Sequence, residues 1–167
     1  MAEDFNLPQR NVCLNTRSSG GWRRGPREVR LEIRSDHQES WVSIRLTELE
    51  TEHYPSAECE VEASLEGFHV VRVVWFEADA LRVFASGLDS LYQSRSGSAE
   101  LMAMGPEEFR LLFRSADKLG HVSATLMIAK STLTLQWSVT CTFPVDPTML
   151  PTYANDFLGF LKEIGPS

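Results

Sequence analysis

A chain of 167 residues with 43% hydrophobic and 23% charged content is long enough to bury one core and too apolar to be wholly disordered. Its formal net charge of −7 is unevenly laid out: residues 1–34 hold seven Arg against Glu3, Asp4, Glu28 and Glu32, which leaves nine basic and nineteen acidic residues in the rest. An acidic body of this kind repels nucleic acid and anionic lipid and attracts basic proteins, although acidity also serves solubility alone.

Residues 1–27 read as a basic irregular arm. The run Arg17-Ser18-Ser19-Gly20-Gly21-Trp22-Arg23-Arg24-Gly25-Pro26-Arg27 has breakers and no periodicity, which reads first as a floppy or translated-leader segment and second as a basic arm that folds back on the acidic body or touches RNA. The first residues lack the basic start and apolar run of a signal peptide, and no stretch approaches the ~18 apolar residues of a membrane span. A cytoplasmic protein is expected, in which Cys13, Cys59 and Cys141, without any Cys-x-x-Cys pair, remain reduced thiols. Residues 28–167 are expected to form a single α+β domain.

Four strands are predicted first: one on Val29, Leu31 and Ile33, one on Val42, Ile44 and Leu46 beside Trp41, an acidic one, and Phe68 to Trp75. The acidic strand alternates Glu58-Cys59-Glu60-Val61-Glu62-Ala63, so its carboxylates share one side and Cys59, Val61, Ala63 and Leu65 the other. Glu66-Gly67 suits a hairpin turn. The strand after it carries bulk on both faces, which predicts a central strand with Arg72 reaching an edge or a carboxylate. Leu81, Phe84, Leu88, Leu91 and Tyr92 then mark one face of an amphipathic helix, with Asp79 favourable near its start and the Ser94–Ser98 segment, through Gly97, suited to its stop.

A second set of strands is predicted at Ala99 to Ala103, Phe109 to Arg114, Val122 to Ala129 and Leu133 to Phe143, the last two joined across Lys130-Ser131. In the last, Leu133, Leu135, Trp137, Val139, Cys141 and Phe143 alternate with Thr134, Gln136, Ser138, Thr140 and Thr142, which predicts a covered apolar face packed against Leu81, Phe84 and Leu88. Leu150, Tyr153, Phe157, Phe160 and Leu161 form a second helix that tolerates Pro151 in its first turn. Its apolar steps of +3, +7, +10 and +11 repeat those that start at Leu81, as an internal duplication or generic amphipathicity would give. The expected fold is α+β: antiparallel sheet of about eight strands with two amphipathic helices, in the order ββββα-ββββα.

The sites are sparse. His37, His53, His69 and His121 stand at no ligand spacing from one another or from a Cys, and no phosphate-loop, dinucleotide or nucleophile-elbow motif occurs. His69 and His121 read as an edge or packed residue and a turn residue. The carboxylate pairs Glu107/Glu108 and Glu58/Glu60 lie in solvated stretches, unlike acid catalysts, and parallel Glu side chains on a strand do not wrap calcium. No catalytic residue, cofactor or metal is expected. The stretch Glu48, Glu50, Glu52, Glu58, Glu60, Glu62 and Glu66, with no Lys or Arg from Thr47 to Gly67, is the candidate partner-binding surface.

Over residues 66–162 the strand before Leu81-x-x-Phe84-x-x-x-Leu88-x-x-Leu91, then Gly97-Ser98-Ala99-Glu100-Leu101, Glu108-x-x-Leu111, Gly120-His121-Val122, and Phe143-x-x-Asp146 with Leu150-Pro151 together resemble a bacterial family of WapI-type immunity proteins. Pro147-Thr148-Met149 depart from the polar continuation usual there after Asp146. The resemblance implies a small cytoplasmic antidote that binds and blocks a contact-delivered toxin, often a nuclease, and it supplies no catalytic residues. The reading is therefore a non-catalytic protein-binding module that neutralises a basic toxin domain through an acidic surface, with no nucleic acid bound by the acidic body and no contact to membrane. The alternatives are a small-molecule-binding domain, for which a pocket lined by Trp75, Trp137 and Phe157 would speak, and an enzyme of unassigned chemistry.

Overall fold

The computed structural model describes residues 29–36, 39–51, 53–105 and 107–164. The arm, Cys13, His37 and Glu52 lie outside them. Strands β1 (Arg30–Arg34), β2 (Trp41–Glu50), β3 (Ser56–Leu65) and β4 (Phe68–Glu77) form one antiparallel sheet in chain order, followed by helix α1 (Ala78–Ser94). Strands β5 (Ser98–Met102), β6 (Phe109–Ser115), β7 (Val122–Ser131) and β8 (Gln136–Val145) form a second, followed by helix α2 (Leu150–Ile164). The fold is α+β, with two ββββα halves.

The halves interlock rather than sit side by side. Helix α1 packs on β5 and α2, while α2 reaches back onto β1, β2 and β3. Two backbone bonds repeat the exchange: Met104 N–H, after β5, donates to Trp75 O of β4 at 2.8 Å, and Asp36 N–H, after β1, donates to Pro144 O of β8 at 3.2 Å. In each case the first hairpin of one half caps the last strand of the other. The core between them is aromatic, with Phe84 against Phe157 and Phe113, and Phe76 of β4 against Phe109 of β6.

Strand β4 is an edge strand, not a central one. Its inner face begins half-open and closes only toward Val74 and Phe76, and its outer face bears exposed Val71 and Val73, so bulk on both faces does not mean burial on both. Strand β8 starts at Gln136, and the turn is Thr132–Leu135, closed by Thr132 N–H to Leu135 O at 2.8 Å, rather than Lys130-Ser131. Leu133 and Leu135 are exposed there, and Trp137 and Val139 are half-buried. The predicted packing of that face on α1 is absent because α1 lies over β5 and β6, leaving the hairpin tip beyond the cover of either helix.

Local chemistry accounts for the ends. Helix α1 stops on Arg95, at φ 55°, rather than on a glycine, with Arg95 N–H bonded to Leu91 O and its guanidinium over the Tyr92 ring. Before α2, Asp146 accepts from Thr148 N–H at 2.8 Å and caps a 3₁₀ turn over Pro147–Met149 that leads into the helix. The Glu66-Gly67 turn has both residues left-handed, at φ 34° and 94°, as a two-residue hairpin requires.

Candidate functional site

The acidic candidates gather on the outer face of the first sheet. On β3 the residues Ala57, Cys59, Val61, Ala63 and Leu65 are buried, so Glu58, Glu60 and Glu62 point away from the core in one row. A bulge between Leu46 and Glu48 changes the parity of β2. Leu46 faces Cys59 and Leu49 faces Ala57 on the core side, which brings Glu48 opposite Glu58 and Glu50 opposite Ser56 on the outer side. Glu66 sits apart, in the exposed hairpin turn, and Glu52 is outside the described residues.

The row is partly tethered. Thr47 Oγ1 donates to Glu58 Oε1 at 2.9 Å, Arg45 donates to Glu60 Oε1 at 2.7 Å, and His69 Nε2 stands 3.6 Å from Glu62 Oε1. These pairs are half-exposed and fix geometry more than stability. Along β1 the outward side chains are Arg30, Glu32 and Arg34, the two arginines pairing with the carboxylate between them. Across the sheet the outer face thus runs from mixed charge on β1, through carboxylates on β3, to apolar residues on β4.

The apolar strip escapes a reading of the sequence strand by strand. Glu58 faces Trp75, Glu60 faces Val73 and Glu62 faces Val71 across the β3–β4 pair. Val71 and Val73 are 49% and 47% exposed, which is unusual for aliphatic residues on an open edge strand. A sequence signal for this pairing existed, because the two-residue turn at Glu66-Gly67 fixes the register of everything behind it.

Other titratable groups stand apart from this face. Burial pushes the Cys59 thiol up to about 12, so it is an inert core group, while Cys141, half-buried on β8, is raised by burial and by the charge of Glu66. His121 Nδ1 lies 2.5 Å from Asp117 Oδ2 in the β6–β7 turn, which raises the imidazole and lowers the carboxyl. Glu107 and Glu108 do not act as a pair: Glu108 lies 3.6 Å from Arg72 Nη2, and Glu107 is exposed. Arg72 thus reaches a carboxylate, with its Nε buried and without a hydrogen-bond partner.

Trp75, Trp137 and Phe157 do not line a common pocket. Phe157 is fully buried between Phe84 and Phe160, Trp75 lies on the outer face of the first sheet, and Trp137 lies at the edge of the second. A recess of about 570 Å³ opens beside Glu32, Asp36, Asp146 and Tyr153, and one of about 600 Å³ beside Lys130 and Trp137; neither is lined by Glu58, Glu60 or Glu62. Among the described residues no group of three or more His, Cys, Asp or Glu could hold a metal ion. No helix among them is long and apolar enough to cross a membrane.

No protein-family model and no curated protein sequence matches the chain. Among solved structures it is similar to that of the plant transcriptional regulator PBF-2, with a TM-score of 0.50 and 8% identity over 84% of each chain. At that identity the likeness concerns the fold alone.

Proposed function

We propose that this chain is a non-catalytic protein-binding module of the cytoplasm, an antidote of the immunity type, which seats a basic partner such as a toxin domain on the outer face of its first sheet. The observation that carries this reading is the register that sets Glu58, Glu60 and Glu62 directly beside Trp75, Val73 and Val71. Apolar side chains desolvate a contact and supply affinity, while an adjoining carboxylate row supplies orientation and attracts cationic partners from a distance. A face only required to be soluble has no use for two half-exposed valines on its edge strand. The same carboxylates disfavour nucleic acid.

The test is Glu58→Lys with Glu62→Lys, which leaves the Arg45–Glu60 pair intact, and separately Val71→Ser with Val73→Ser. Both should fold. The charge variant should slow association with the cognate toxin about tenfold or more at low salt and lose protection of cells that express it; the valine variant should mainly speed dissociation. Undiminished binding and protection by both variants would exclude this face.

A further inference from the structure

The last strand of each sheet, β4 or β8, is an edge strand, and near its end each receives a backbone bond from the other half: Met104 N–H to Trp75 O at 2.8 Å and Asp36 N–H to Pro144 O at 3.2 Å. A residue's N–H and C=O leave a strand on one side and those of its neighbours on the other. The bond to Trp75 O therefore places the backbone groups of His69, Val71 and Val73 on the free edge of β4, and the bond to Pro144 O does the same for Ser138, Thr140 and Thr142 on β8. Among the described residues no other backbone bond crosses either edge. The side chains differ. On β8 they are exposed hydroxyls, which water satisfies. On β4, Val71 and Val73 are half-exposed on the outer face, and Phe68, 61% exposed, lies on the opposite face with Val74 and Phe76. A partner seated on one face of the sheet covers the valines or the phenylalanine; a strand laid along the edge covers both and pairs the backbone as well.

We infer that β4 accepts an extended segment of the basic partner as a fifth strand of the first sheet, hydrogen-bonded to the backbone of His69, Val71 and Val73. This rests on the protein-binding reading of that face and adds the mode of contact. The added segment is about five residues long, matching His69 to Val73, because Met104 closes the edge at Trp75. Its outer-face positions suit Arg or Lys. Their aliphatic stems lie over Val71 and Val73, and their charged heads reach toward the row of Glu58, Glu60 and Glu62, two strand spacings or about 10 Å away. Its inner-face positions suit apolar residues, beside exposed Phe68 and half-buried Val70. A second copy of this chain brings the same carboxylates to the junction, and like charge opposes that pairing. The hydroxyl-lined edge of β8 shows that the fold itself does not call for valines at such a position.

The experiment is amide hydrogen exchange followed by NMR on the full chain, with a synthetic hexapeptide of alternating arginine and valine as the added strand. At about 90% occupancy, exchange at His69, Val71 and Val73 should slow about tenfold, since only the free edge exchanges, while Ser138, Thr140 and Thr142 stay unchanged. The same peptide N-methylated at its arginines keeps the charge, loses the pairing donors and should give no protection. Val71→Pro removes an edge N–H that β3 does not use, as Pro144 lacks one on β8, and should weaken the peptide at least about tenfold. Equal binding of the N-methylated peptide, or edge amides left unprotected up to millimolar peptide, would overturn the inference. Protection already present without peptide would overturn it too, and its disappearance on dilution together with a halved mass would give the edge to a second copy. The antidote reading fails separately. A cognate toxin indifferent to Glu58→Lys/Glu62→Lys and to Val71→Pro removes that reading and leaves the peptide result standing, whereas one lost by the charge variant and unmoved by Val71→Pro keeps the face and removes the added strand.

Discussion

Phe84 of α1 meets Phe157 of α2 edge to face, with ring centroids 4.8 Å apart, planes at 90°, and both side chains fully buried. The contact joins the two halves at the point where their helices cross. Phe157→Ala should therefore cost about 3 to 5 kcal/mol, as large-to-small changes in packed cores do. Because each half lends its helix to the other's sheet, urea unfolding of parent and variant should be one transition followed equally by fluorescence and circular dichroism. Two separated transitions would show that the halves are independent.

A second prediction concerns the tip of the β7–β8 hairpin. Leu133 is fully exposed and Trp137 half-buried, so Leu133→Ala should change stability by less than about 0.5 kcal/mol and Trp137→Ala by well under the ~3 kcal/mol of a core aromatic. Denaturation midpoints decide it. A large loss in the Leu133 variant would mean that the apolar face of this hairpin is covered in solution.

That hairpin also marks where the sequence stopped being legible. Both sets of four strands, both helices and the side of β3 that carries the carboxylates follow from alternation and three-to-four spacing, because burial on one face leaves a periodic trace. Period two also continues through Leu133 and Leu135, past the last residue any helix covers, and a pattern holds no record of where its cover ends. The bulge at Thr47 is equally silent, since one extra residue reverses parity without a signature of its own, and only the pairing of Glu48 with Glu58 reveals that β2 joins the acidic face. For β4, apolar residues of both parities were compatible with a central strand and with an edge that carries an exposed strip. The sheet order selects the second.

The His121–Asp117 pair predicts a pH dependence with a defined sign. The hydrogen bond and charge of Asp117 raise His121, so its contribution is complete below the ordinary imidazole value and is lost as pH rises through the raised one. Asp117 is lowered chiefly by the hydrogen bond from His121, so its contribution is present above the ordinary carboxylate value and is lost as pH falls through the lowered one. The turn should be best ordered between the two ordinary values, roughly pH 4 to 6.5. In an NMR titration the His121 midpoint should lie above about 6.5 and fall back in Asp117→Asn. An unchanged midpoint in that variant would show that the pair does not persist in solution.

The two helical glycines should respond to alanine in opposite directions. Alanine favours a helix over glycine by up to about 1 kcal/mol, and that gain operates at both positions. At Gly87 an added Cβ would stand 2.9 Å from Ala99 Cβ and 3.3 Å from Ala99 Cα, where α1 lies close on β5. The neighbour is a strand that cannot move aside without lifting the helix, and overpacking of this kind costs about 1 to 3 kcal/mol, which outweighs the propensity gain. At Gly159 of α2 nothing lies within 4 Å of the added carbon, so the gain is unopposed. Gly87→Ala should lower the thermal midpoint and Gly159→Ala should raise it by up to about 2 to 4 °C for a chain of this size. The double variant should be near the arithmetic sum, because the two sites share no close neighbour. A Gly87→Ala protein as stable as the parent would mean that α1 and β5 stand further apart than this close approach requires.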